Sequence, residues 1–283
     1  MEYAGAGPRR GAFYLVAALV LCVALAAALT PWLALRDPFK IETRVRLKPP
    51  GTRFADGTVA LLGTDAVGRD VLSRILWGAR ISLVIGLFAV IVAGAIGVLA
   101  GLLAGYYGGW AEHVLMRLAD IQLGFPGIML ALAVTAVLGP SVPNLIISLG
   151  ITRWVSYARL VRGVVLSLRE REYVEAARAL GAPDRRILRR HILPGITPVL
   201  VVLATVEVGR VIIVEASLSF LGLGIQAPQP SWGGMVADGR AYLSTAWWVS
   251  TFPGLAIGLT TTAVGLLGDG LRDALDPRLR RTQ

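Results

Sequence analysis

The sequence predicts an all-α membrane protein with six transmembrane helices, on three observations. Hydrophobic residues make up 55% of the 283 and charged residues 16%, where soluble domains run near about 25% charged. Uncharged runs long enough to cross a hydrocarbon core of about 30 Å as helix, about 20 residues, recur along the chain. Of 28 Lys and Arg, 26 are Arg, and the net charge of +10 gathers mostly between those runs. Basic chains also bind nucleic acid, but apolar stretches of this length point to a bilayer flanked by basic loops instead.

Taken in order, 25 uncharged residues separate Arg10 from Arg36 and predict a first span over residues 13–29. That apolar run exceeds the about 7–15 residues of a cleaved signal peptide, so it reads as retained. A second span over 81–106 lies in the 31 uncharged residues between Arg80 and Glu112. It carries Gly97, Gly101 and Gly105, a small-xxx-small spacing that lets helix backbones approach closely in lipid. The 32 uncharged residues between Asp120 and Arg153 contain Gly139, Pro140 and Pro143, which favour a turn and divide the run into spans over 122–138 and 144–161. Arg153 then sits inside the fourth span. A fifth, over 194–218, carries Glu207, Arg210 and Glu215. The sixth runs over 247–267, with Pro253 at a kink or start. With both termini inside, 16 Lys and Arg fall in cytoplasmic segments and ten outside, nine of those between Arg36 and Arg80. The sign fits the positive-inside rule, though the basic 36–80 segment weakens the contrast.

Several chemistries are poorly supported. A phosphate-binding loop needs G-x-x-x-x-G-K-[ST], and the two lysines, Lys40 and Lys48, follow no such pattern. No H-E-x-x-H or G-x-S-x-G occurs, and one cysteine, Cys22, excludes an internal disulfide framework. No metal site and no bound cofactor are expected. Ionisable groups inside a span are functional candidates by default, which keeps an intramembrane enzyme built on Glu207, Arg210 and Glu215 as an alternative. Glu207 and Arg210, three apart, can equally pair on one helix face as structure.

The most patterned loop is 169–194. Residues 173–180 suit a helix, Gly181 a left-handed C-terminal cap, and Pro183 with Asp184 the first turn of a second, Arg-rich helix. Small residues there leave a low surface for a docking protein; a charged loop lying on lipid headgroups has the same composition.

Glu175-Ala176-Ala177, then Gly181, then His191-Ile192-Leu193-Pro194 resembles the E-A-A loop of binding-protein-dependent ABC importer permeases. His191 stands where the broad family often has an aliphatic residue, and Gly195 where the peptide branch usually has Asn. Leu62-Gly63-Thr64-Asp65 with Gly68-Arg69-Asp70, Gly78-Ala79-Arg80, Trp154 with Tyr157-Ala158-Arg159, Glu215 to Gly224, Pro230-Ser231-Trp232-Gly233, and Gly268-Asp269-Gly270 followed by Asp276-Pro277 are similar to the C-type subunit of the dipeptide, oligopeptide and nickel branch.

The resemblance implies a type I permease fold with cytoplasmic termini, residues 1–79 forming a tail, first span and external segment, and 80–283 a five-helix core with its coupling loop at 162–193. It implies a multi-pass protein of the bacterial inner membrane that is not an enzyme: half of a translocation path for peptides, with nickel or another small solute as the alternative. The implied partners are a homologous B-type permease, two cytoplasmic ATPases that use ATP and Mg, an extracytoplasmic binding protein and the lipid bilayer, with no nucleic acid. Tyr173, Glu175, Ala176, Ala177, Gly181, Ala182, Pro183, Leu193 and Pro194 would couple to the ATPase; Arg153, Glu207, Arg210 and Glu215 are candidates for the path or for an intramembrane pair.

Lacking a phosphate-binding lysine, the purified and reconstituted chain should hydrolyse ATP at background rate only. Stoichiometric turnover in a phosphate-release assay on the isolated chain would contradict this.

Overall fold

A computed structural model describes residues 7–34 and 36–275, with backbone alone for 7–10 and 12. Residues 1–6 and 276–283, including Asp276-Pro277 and both expected cytoplasmic ends, lie outside the described residues.

Helix α1 covers Gly7–Ala28, followed by the one-turn α2, Thr30–Leu33. The segment expected to be external then folds as a small lobe around the antiparallel strands β1 (Thr52–Arg53) and β2 (Val59–Ala60), paired Thr52 to Ala60 and Arg53 to Val59. Arg36 organises it: the guanidinium lies 3.5 Å over the Phe54 ring, donates to Asp56 (2.9 Å) and Thr58 (2.7 Å), and pairs with Glu42. Hydrogen bonds from Thr58, aided by Arg36, hold the Asp56 carboxyl below its usual range.

The motif around Asp65 is a turn that launches the next helix. Asp65 accepts from the amides of Val67 and Arg69, both at 2.9 Å, and from Arg69 Nε at 2.6 Å, while Gly68 takes φ +81°. Asp70 caps helix α3 by accepting from the Ser73 amide at 2.8 Å. This cap starts α3 at Val71, ten residues before the expected second span, and the helix runs 37 residues to Tyr107. The 79/80 division therefore falls within a helix.

The expected third span over 122–138 needs correction. Helix α4 (Gly109–Leu123) and helix α5 (Gly127–Leu138) meet at 92°, because Pro126 cannot donate a helical hydrogen bond. The turn after α5 is shorter than expected. Asn144 Nδ2 donates to the carbonyls of Leu138 (2.6 Å) and Gly139 (3.1 Å), and Ser141 caps helix α6, Val142–Leu168, which starts two residues before the predicted span and ends seven after it. Next come the short α7 (Glu172–Ala179) and α8 (Asp184–Ile187), and helix α9, Leu193–Phe220. Helix α10 (Trp232–Gly239) and helix α11 (Trp248–Leu275) complete the chain. Helices α3 and α11 are each long and apolar enough to cross a membrane, and the bent α4–α5 pair qualifies together. Helices α6 and α9 have the length but carry charged side chains.

The core is built on α3 against α6. Gly97 faces the Trp154 carbonyl and Tyr157; a β-carbon on Gly101 would lie 2.6 Å from the Ala158 carbonyl oxygen, and one on Gly105 2.9 Å from Val165 Cβ. The glycine stripe is thus the seam between the helices. On its other side α3 meets α9, with Ile85, Ala89, Val211 and Leu218 buried together. Helix α4 is tied to α6 by pairs from Arg159 to Asp120 and from Arg162 to Glu112.

Gly101→Val should force the seam apart and destabilise the detergent-solubilised protein by about 1–3 kcal/mol, read as a lower thermal midpoint. Gly163→Val, on α6 with no atom within 4 Å of its β-carbon position, should not.

Candidate functional site

Glu207 is completely buried halfway along α9 and gathers two arginines. Arg153 of α6 grips it with a two-pronged contact, Nε to Oε2 at 2.7 Å and Nη2 to Oε1 at 2.9 Å. Arg210, one turn away on α9, adds Nη1 to Oε1 at 3.0 Å. The expected Glu207–Arg210 pair exists, yet the inter-helical bond to Arg153 is the better one in number and geometry, and periodicity within one helix had no means of revealing it. Both carboxylate oxygens are satisfied, which is what a buried charge requires. One turn from Arg153, the Tyr157 hydroxyl is buried and has no hydrogen-bond partner among the described residues.

Glu215 stands apart, about 12 Å further along α9. Its carboxyl is buried among hydroxyls, accepting from Ser219 at 2.8 Å and Ser82 at 3.3 Å, with Ser231 3.4 Å from Ser219. It joins α9 to α3 and to the cap of α10 and belongs to no ion pair among the described residues. Beyond it, the 221–231 segment, α10 and the end of α9 enclose a cavity of about 460 Å³ with Arg74, Asp238, Gln226 and Gln229 in its wall. Burial raises the Asp238 carboxyl above its usual range, with Arg74 opposing.

At the opposite end of α9 lies the 169–194 loop. Helix α7 begins one residue earlier than predicted and ends in a Schellman cap: Gly181, at φ +77°, donates to Arg178 O at 2.9 Å and Ala182 to Ala177 O at 3.1 Å. The corner is presented outward, with Leu180 88% exposed and Tyr173 47%. Glu175, Ala176, Gly181 and Pro183 share this exposed crest, and Ala177 and Ala182 are half-buried beneath it. Leu193 and Pro194 are separate, in the first turn of α9. Below the crest, Val174, Ile187 and Ile192 are buried against Val161, Val165 and Tyr106.

Two features escaped sequence reasoning. Residues Leu188–Ile192 form a π-turn, so α8 runs through it into α9 without a break. The loop is also pinned to α3, by the Tyr106 hydroxyl donating to Asp184 at 2.7 Å and by Arg169 donating to the Gly105 carbonyl at 3.0 Å. Asp184 was legible only as a first-turn acid; its partner lies 78 residues away.

Comparison with known proteins identifies the family and the fold. The family described as binding-protein-dependent transport system inner membrane component matches residues 97–281. The glutathione transport system permease protein GsiD of Pectobacterium atrosepticum is 52% identical over 77% of this chain and 73% of its own length. A putative peptide transport system permease protein of Brucella suis is 44% identical over 96% of this chain and 90% of its own. Among solved structures, a chain of the inward-facing MetNI methionine ABC transporter superposes with a TM-score of 0.56 at 19% identity, covering 73% of this chain and 96% of that one; the likeness is one of fold.

Glu207→Gln should cost about 3–5 kcal/mol, because it leaves the Arg153 guanidinium without its counter-charge. Unfolding in detergent should show Arg153→Gln and Glu207→Gln together costing less than their sum, with a coupling of about 0.5–3 kcal/mol. Additive losses would show that the two groups act separately.

Proposed function

The chain belongs to the binding-protein-dependent transport system inner membrane components and is the permease component of an ABC importer, and on that premise we propose that it carries di- or oligopeptides, glutathione among them. The names of its relatives support that cargo class. In this reading the chain pairs with a homologous B-type permease in a bacterial inner membrane. It crosses six times, through α1, α3, the bent α4–α5 pair, α6, α9 and α11, with both termini in the cytoplasm. Two ATPase subunits use ATP and Mg on the inner side, and an extracytoplasmic binding protein delivers cargo at the outer mouth. The chain itself catalyses no bond making or breaking.

One observation carries the coupling role: the exposed Gly181 corner is continuous with α9 through α8 and the π-turn. An ATPase pressing on Tyr173, Glu175, Ala176, Ala177 and the corner moves a lever whose far half holds Glu207, Arg210 and Glu215. Alternating access then follows if ATP and cargo stabilise different tilts of that lever. The links from Tyr106 to Asp184 and from Arg169 to Gly105 make α3 and α6 move with it.

A side chain at Gly181 would have to adopt a left-handed backbone costing about 1–2 kcal/mol, on the surface where the ATPase docks. Gly181→Leu should leave the membrane content of the protein near normal while transport-coupled ATP hydrolysis of the assembled complex falls about tenfold or more. Full coupling at normal protein level would instead favour a loop that rests on lipid headgroups.

A further inference from the structure

The ion cluster halfway along α9 leaves one positive charge uncompensated. Glu207 supplies one carboxylate to two guanidiniums, and among the described residues neither arginine pairs with another acid. Arg153 uses Nε and Nη2 on Glu207, but Arg210 uses only Nη1; its side chain is 60% exposed, and among the described residues Nε and Nη2 meet no acceptor. A cation at this depth needs an anion or water.

Two independent features lie beside it. The α4–α5 break falls level with Arg153, since Gln122 donates to the carbonyls of Ile151 (3.2 Å) and Thr152 (2.9 Å) and accepts from Trp154 at 2.7 Å. Non-helical backbone at membrane depth occurs where it is covered by protein or lines a wet cavity, and Phe125 in the break is 59% exposed. One turn further along the same stripe of α9 an apolar groove of about 420 Å³ opens, walled by Ile128, Ile213, Ala216, Phe220 and Ile257.

Resting on the peptide reading above, we propose that Arg210, braced by Glu207 and Arg153, binds the terminal carboxylate of the peptide in transit while the groove receives its apolar side chain. Glu207 holds the guanidinium in place from the buried side, so the remaining edge of the fork faces the cargo with its two donors in the plane a carboxylate requires.

The test uses the assembled, reconstituted transporter with Cys22→Ser and Ile213→Cys in this chain, so that thiol labelling read on this chain reports occupancy of the groove. Alanyl-phenylalanine should slow labelling, and its C-terminal amide should do so far more weakly. Arg210→Gln should raise the alanyl-phenylalanine concentration for half-protection about tenfold or more, as expected for losing a hydrogen bond to a charged group, and Arg210→Lys should retain part of the protection. Equal protection by acid and amide, protection unchanged by Arg210→Gln, or no protection in a complex that imports alanyl-phenylalanine would each overturn the site. So would failure of the Arg210→Gln chain to assemble, which would assign the missing anion to a partner subunit. A wild-type complex that imports no alanyl-phenylalanine overturns the peptide reading, and this cargo site with it.

Discussion

The close approach of α3 and α6 is the constraint from which the other placements follow. Glycines at 97, 101 and 105 remove the side chains that would hold the helices apart, so α6 presses its backbone against α3 over its second half. In lipid, where apolar surface gains nothing by leaving the solvent, such contact is a main source of packing energy. It fixes the height at which Arg153 points toward α9, and it brings Arg162, Arg169 and Val165 to the end where the exposed corner is built. Remove the stripe and both the charge cluster and the base of the corner lose their register.

Glu207 shows how a carboxylate survives complete burial on a largely apolar helix. Neutralisation alone would need one arginine; this site has two, with the first gripping from a neighbouring helix and the second from the same one. The inter-helical bond therefore serves as a cross-tie between α6 and α9 as well as a counter-charge. Glu215 achieves burial differently, by hydroxyl donors alone. Two acids eight residues apart on one helix thus mark two different joints, one to α6 and one to α3 and α10.

Much of this was legible in the sequence, for reasons that differ by element. Charge-free runs locate apolar helices well, since lipid tolerates little else; hence α1 and α11 overlap closely with the runs that predict them, while α9 was legible from its apolar length despite three charges. Gly181 was readable because its local turn chemistry needs no distant partner. The bend between α4 and α5 was missed because Pro126 lies near the start of the expected span, where a helix tolerates proline, and the early start of α3 because Asp70 acts as a cap only once the Asp65 turn has formed. The contacts from Arg153 to Glu207 and from Tyr106 to Asp184 span 54 and 78 residues, and no periodicity encodes them. What remained hidden is the set of pairings that only the tertiary arrangement creates.

The small lobe around β1 and β2 depends on a distant part of the chain. Its inner wall is completed by Trp248, whose indole donates to the Thr64 carbonyl at 3.1 Å and packs where any β-carbon on Gly63 would collide. Those residues are separated by 184 positions, so the lobe cannot close until α11 has been synthesised. Until then the hairpin and the Asp65 turn stand exposed with one side unfinished. Helix α11 is accordingly the element that latches this lobe, so a segment made early is completed by a helix made far later.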